Sequence, residues 1–349
     1  RTMSCDQTGG TQSPPSKNRR QSGPTRISTG GRTAGQLPRW QIGRASPPVA
    51  GRPGIPTGGR IGRASPPAAE PPRVRATVST VTTPVISVGG VCADLAAEQD
   101  DLERIVRGLD DPALDTPTPS PGWSVRDQVT HLAFFDARAT LAMVDPEAFT
   151  AEVRRFLADP RGVTDEHLTG GHGLGVEALL GWWGEERDRF QAAARELDPA
   201  TRVPWYGPPM SPVSFVTARL METWCHGQDV IDAVGASRQP SQRLRHVAHI
   251  GVRARPFSYA TNGRTPPQGE VRVELEAPGG GVWSWGDAAA GDRVTGTALD
   301  FCLVVTQRRH RDDTGLQVEG PLAREWMEIA QAFAGPPGAG RRPGQFARG

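Results

Sequence analysis

Lysine is nearly absent: the 40 basic residues of this 349-residue chain include a single lysine, Lys17. So lopsided a use of arginine reflects a GC-rich coding sequence rather than a demand for guanidinium chemistry. Cysteine is also sparse. Cys5, Cys92, Cys225 and Cys302 lie far apart, with no Cys-x-x-Cys pair and no secretory signal ahead of them. A disulfide framework is therefore excluded, and a reducing, cytoplasmic setting is expected. No apolar run approaches the roughly 18 residues that suggest a membrane span, so no membrane association is expected.

Acidic and aromatic residues are almost missing from the first ninety positions, which hold Asp6, Glu70 and Trp40 alone. That stretch carries 12 Arg and Lys17 against Asp6 and Glu70, a net charge of +11, and the overall +2 leaves −9 for the remainder. It is rich in Gly, Pro, Ser and Thr and repeats Ile-Gly-Arg-Ala-Ser-Pro-Pro at 42–48 and 61–67. A segment so poor in apolar surface cannot offset the entropy of ordering, so residues 1–87 are expected to be a disordered extension. A nucleic-acid arm would bind phosphate by counterion release. These arginines are separated by Gly and Pro, however, and no aromatic platform accompanies them, so nucleic acid is not an expected partner. A transit peptide would need an amphipathic face that is lacking. Upstream sequence read from a wrong start is a further reading, with the ordered pattern beginning near Val88.

From there the helical period recurs. Helices are predicted over 94–109 (core positions Leu95, Ile105, Leu109), from Val125 to about Val144 (Val129, Leu132, Phe135, Ala139), over 147–157, and over 176–197 (Leu179, Leu180, Trp183, Phe190, Leu197). Residues 162–175, with His167 and His172, read as a loop. Ser124 is expected to cap the second helix with Asp127 at N3, and Trp123 stands where a hydrophobic staple would. A further helix starts at Ser211-Pro212, runs to Val234 and closes on Gly235. These elements describe a four-helix bundle over 88–237. Beyond Pro240 the expectation is a helix over 244–252, a hairpin of Glu270–Leu275 with Val282–Trp285 across three glycines, a helix over 297–307, a short strand at 316–319 and a last helix over 322–333. This is a small α+β domain over 238–338, with a flexible tail at 339–349.

Chemistry concentrates on Glu222 and His226. Four residues apart on a helix, they share a face and offer a divalent ion one oxygen and one nitrogen ligand. Either residue alone is more often an ordinary ion-pair or core residue. The apolar company of Leu220, Met221, Trp224 and Val230 makes an unpartnered carboxylate uncomfortable there and favours a ligand role. His131, near the core stripe of the second helix, supplies a third ligand, and Asp127 is placed to orient its imidazole or simply to favour the helix N-terminus. Cys225 is turned about 100° from His226 and is read as packing.

The stretches Gly122-Trp123-Ser124-Val125-Arg126-Asp127-Gln128-Val129-Thr130-His131-Leu132 and Glu222-Thr223-Trp224-Cys225-His226-Gly227-Gln228-Asp229 resemble the mycothiol-dependent maleylpyruvate isomerase group of the DinB-like four-helix metalloproteins. Gly320-Pro321 to Gly338 is similar to an actinobacterial branch of that group. The resemblance spans about 88–338. It implies a divalent metal, usually zinc, held by His131, Glu222 and His226. It also implies mycothiol or another low-molecular-weight thiol as cosubstrate, and an isomerase or S-transferase acting on a small electrophile. Arg308 and Arg309 are candidates to reach a substrate carboxylate from the second domain, against the plainer reading of solvated charge. The alternative from another class is a non-catalytic, metal-stabilised carrier of a small apolar ligand. Trp182, Trp183, Trp205 and Trp224 suit either.

Overall fold

The computed structural model describes residues 86–158, 167–335 and 337–346. The extension at 1–85 lies outside them. The first helix, α1 (Val88–Arg107), starts six residues before the predicted boundary, because Ser87 caps it by accepting from the Gly90 N–H at 3.1 Å. Two glycines in the first turn hide that start from any propensity argument. Leu95 is buried as expected, but Leu102 and Val106, rather than Ile105 and Leu109, fill the core below it. A 3₁₀ turn at Asp111–Asp115 then leads to α2 (Val125–Val144). There the capping box is complete: Ser124 Oγ accepts from the Asp127 N–H at 3.2 Å, and Asp127 Oδ2 accepts from the Ser124 N–H at 2.8 Å.

Helix α3 (Pro146–Ala158) follows, residues 167–169 are helical where a loop was expected, and α4 spans Val176–Arg195. Ser211 caps α5 (Pro212–Val234), and Gly235 ends it at φ 65°, a left-handed position that favours glycine. Helix α4 packs on α1 and α2, and α5 packs on the same two, so α1, α4, α2 and α5 close a four-helix ring. Nearly every residue of α5 from Phe215 to Ile231 is buried, since the ring covers one side and α6 (Leu244–Arg253) covers another.

Asp136 joins the ring at its centre. Fully buried on α2, it accepts from Arg219 Nε of α5 at 3.0 Å, Trp183 Nε1 of α4 at 3.1 Å and Gln99 Nε2 of α1 at 3.5 Å. Each helix of the bundle thus gives one residue to a single polar node.

After α6, the short α7 (Arg255–Thr261) leads into a four-stranded sheet of order β2-β1-β3-β4. Strands β1 (Val271–Glu276) and β2 (Val282–Trp285) form the predicted hairpin, with Val273 opposite Trp285 and Leu275 opposite Trp283. Its turn needs glycine: Gly279, Gly280 and Gly281 all have positive φ, from 80° to 103°. Strand β3 (Asp292–Thr297) runs parallel to β1 and pairs antiparallel with β4 (Gln317–Glu319). It was not anticipated, because Val294 is the one buried apolar side chain in it and no alternation shows. Helices α8 (Ala298–Val305) and α9 (Pro321–Ile329) cover the sheet. The last helix ends four residues before the predicted Phe333.

The bundle and the sheet part share a continuous core, running from Val91 and Leu220 through Val247 to Val273 and Trp326. Buried Glu98 of α1 reinforces the junction, pairing with Arg243 at 2.7 Å and with Arg238, whose guanidinium lies over the Trp224 ring. No helix among the described residues is long and apolar enough to cross a membrane.

Candidate metal centre

Helix α5 carries Glu222 and His226 on one face, and the capped start of α2 brings His131 against them. His226 Nε2 is 3.3 Å and His131 Nε2 4.0 Å from Glu222 Oε2, and one ligand atom from each residue lies within 4.8 Å of the others. Tetrahedral zinc ligands about 2.0–2.1 Å from the ion stand roughly 3.3 Å apart, so one separation already fits and the others need a contraction of at most about 1.5 Å. The donor set of two imidazoles and one carboxylate suits a borderline ion such as zinc. The three side chains are 11–24% exposed, so the cluster is not fully sealed from solvent.

Both imidazoles are restrained in place. His226 Nδ1 is 2.5 Å from Gln128 Oε1, and Gln128 Nε2 donates to Thr118 Oγ1 at 2.9 Å. The Thr118 hydroxyl in turn donates to the Trp123 carbonyl at 2.8 Å. The bond to Gln128 favours a proton on Nδ1, and Nε2 faces Glu222 Oε2 at 3.3 Å. His131 is held differently, since its Nδ1 is buried without a hydrogen-bond partner. Ring packing restrains it instead: Phe135 at 4.5 Å, Trp123 at 5.2 Å and His167 at 5.5 Å between centroids. Burial, followed by the nearby His226, Arg219, His167 and Arg308, pushes the His131 pKa well below its ordinary value. For Glu222, burial is the largest single influence and raises the pKa. His226, Arg219 and Arg308 together outweigh it and hold the carboxylate below its usual value.

Three expectations need correction. Asp127 does not orient an imidazole, because its carboxylate is engaged by the Ser124 N–H and hydroxyl in the capping box, and Gln128 does the orienting instead. Arg309 is turned away, paired with Asp232 of α5 at 2.6 and 2.7 Å. Arg308 lies close enough to influence both His131 and Glu222, yet it is bonded to buried Asp229 at 2.9 Å. The tail set apart at 339–349 contains Arg341, which is only 8% exposed because Asp229, buried one turn beyond His226, recruits it as a second cation at 2.6 Å. Cys225 is buried beside Met221, and burial pushes its thiol up to about 12, as suits a packing residue.

The aromatic residues at the centre also differ from those anticipated. Trp183 and Trp224 are 0% and 3% exposed, and Trp205 stacks on Phe149 at 5.4 Å, so all three belong to the core. Trp123 lies over His226 at 5.8 Å and 20°, and with Phe134, Phe135 and His167 it walls the cluster. Phe135, read as a core position, is half-buried in that wall. The order Trp123, Gln128, His131 holds the one usable sequence signal: Gln128 is three residues before a ligand and thus on its face. Gln128→Ala is expected to weaken zinc binding by about 10–100-fold with the ligands intact, measured by competition with a chromogenic chelator.

Residues 95–231 match the model of the mycothiol maleylpyruvate isomerase N-terminal domain family, a span that contains His131, Glu222 and His226. Two uncharacterized proteins from two strains of Mycobacterium tuberculosis are each 44% identical over 253 residues, covering 72% of this chain and 98% of theirs. Two crystal structures of the mycothiol-dependent maleylpyruvate isomerase, one of a histidine-to-alanine mutant, align at TM-score 0.46 and 17% identity, covering 68% of this chain and 95% of theirs. By the family match over the segment that builds the ring of helices, the chain belongs to the mycothiol-dependent maleylpyruvate isomerase-like family.

Proposed function

We propose that the protein binds one divalent ion, zinc by its donor set, through His131, Glu222 and His226, and uses mycothiol or a similar thiol to isomerise or S-conjugate a small electrophile. The observation that carries this reading is the convergence of three ligand atoms from two helices, with the His226 ring held by Gln128. A bound divalent cation supplies the charge that holds a thiol as its nucleophilic thiolate near neutral pH.

The chain's own groups do the remainder. The Gln128 acceptor favours a proton on His226 Nδ1, which makes Nε2 the ring nitrogen turned to the ion. The desolvated setting of His131 disfavours imidazolium at neutral pH, and Glu222 stays ionised. Trp123, Phe134 and Phe135 present apolar surface that restricts water beside the ligands and suits the carbon skeleton of a small substrate. A carrier function has no comparable support, because Trp183 and Trp224 are consumed by the core.

The test is a screen of activated alkenes and alkyl halides with several thiols, on full-length protein loaded with zinc or stripped by chelator. Turnover that requires both thiol and metal is expected. Activity indifferent to chelation would contradict the reading.

A further inference from the structure

The wall beside His131, Glu222 and His226 is built of rings. Trp123, Phe134 and Phe135 are half-buried there, and buried His167 stands among them, 5.8, 5.9 and 6.0 Å from the three centroids and 5.5 Å from that of His131. The segment that bears His167 is seated on α2 by Gly171, where a Cβ would stand 1.8 Å from Thr130 Oγ1, so only glycine permits the approach. Phe135 continues the wall to Tyr206, 6.0 Å away, whose hydroxyl burial pushes up to about 12 and so keeps un-ionised.

Three guanidiniums approach the cluster and this wall, and each is engaged elsewhere. Arg219 is buried and paired with Asp136 at 3.0 Å. Arg308 donates through Nη1 to the Thr306 carbonyl at 2.7 Å and through Nη2 to Asp229 at 2.9 Å. Arg138, whose guanidinium lies 4.4 Å over the Phe134 ring, is paired with Glu152 at 2.8 Å. Glu222, held ionised, and a thiolate together offset a divalent ion, so the loaded cluster offers a further anion no net charge. A carboxylate entering among these rings would lose water without gaining a counter-charge, whereas a neutral planar molecule would bury apolar surface against ring faces and edges.

We propose that the wall selects a neutral, planar electrophile, aromatic or conjugated, over a carboxylate, with Phe135 as the specificity-determining residue. Phe135 is placed for that task, since its ring touches His131 at 4.5 Å on one side and Tyr206 on another. The reaction such a molecule undergoes rests on the thiol reading above, but the selection rests on the wall.

Equilibrium dialysis of the full chain, stripped of metal by chelator, against methyl para-nitrobenzoate and against para-nitrobenzoate tests the selection without turnover. One ester per chain is expected to bind with a dissociation constant of about 1 mM or below, and the anion at least about tenfold more weakly. Phe135→Ala should weaken the ester by about tenfold, and Phe135→Leu, which keeps apolar volume and protects the fold, by about threefold. With zinc and mycothiol, para-nitrobenzyl chloride should then exceed para-(chloromethyl)benzoate by about tenfold in kcat/KM, each corrected for its uncatalysed rate. In both reactions sulfur bonds to the benzylic carbon, chloride leaves and the thiol proton passes to solvent. Selective ester binding without turnover would uphold the selection and contradict the thiol reading. Equal or tighter binding of para-nitrobenzoate, a turnover preference for the carboxylate, or ester binding that both Phe135 variants leave unchanged overturns the proposal.

Discussion

His226→Ala is expected to abolish divalent-metal binding while leaving the fold in place. The substitution removes the imidazole held by the Gln128 hydrogen bond, and it leaves His131 and Glu222 4.0 Å apart as a two-ligand remnant. Losing a ligand should exceed the roughly 10–100-fold that loss of an orienting partner costs, so bound zinc should fall from about one per chain to the background of chelator-treated protein. The helices should persist, since α5 is held by its buried apolar residues on α1, α2 and α6 rather than by an ion. Elemental analysis together with far-ultraviolet circular dichroism reads both effects. Loss of helical signal along with the metal would make the ion structural.

The second large effect is expected at Asp136→Ala. Burial raises the Asp136 pKa more than Arg219 beside it lowers it, so the pair is retained against a desolvation cost. Truncation would leave the Arg219 guanidinium, 4% exposed, with no counter-charge in the middle of four helices. Breaking such a pair costs about 3–5 kcal/mol, which in a folded unit of this size lowers the melting temperature by roughly 6–20 °C. Removing both charges with well-packed replacements, as in Asp136→Leu with Arg219→Met, should recover most of the loss. A double variant no more stable than Asp136→Ala would mean that the node does more than satisfy its own charges.

Local signals in the sequence predicted the bundle and the residues that converge at its centre. Ser124 with Asp127, Ser211 with Pro212, and Gly235 mark helix ends through nearest-neighbour chemistry, and α2 and α5 begin and end where those residues place them. The convergence of His131, Glu222 and His226 was legible because an i,i+4 pair states its geometry, and the stripe of α2 turns His131 toward it. Residues whose roles depend on contacts far along the chain were not legible. Gln128 was silent because its partner is 98 residues away, and Asp229 because its cations come from 79 and 112 residues away. Trp123 looked like a staple, yet its ring turns to the histidines. The polar strand β3 has no pattern of its own, and its place is set by pairing with β1 and β4. The tail around Arg341 has the composition of a mobile segment, and its docking rests on partners far along the chain, buried Asp229 for Arg341 and Asp313 for the Gly344 N–H.

The most direct test of the central reading is the visible and near-ultraviolet spectrum of the cobalt-substituted protein titrated with thiols, mycothiol first. If His131, Glu222 and His226 hold an ion with a position open to a thiol, one equivalent of cobalt should bind, and each effective thiol should add an intense sulfur-to-cobalt charge-transfer band that saturates. The same band should be missing in His226→Ala. A cobalt site that forms but shows no such band with any plausible thiol would contradict thiol activation, even with all three ligands in place.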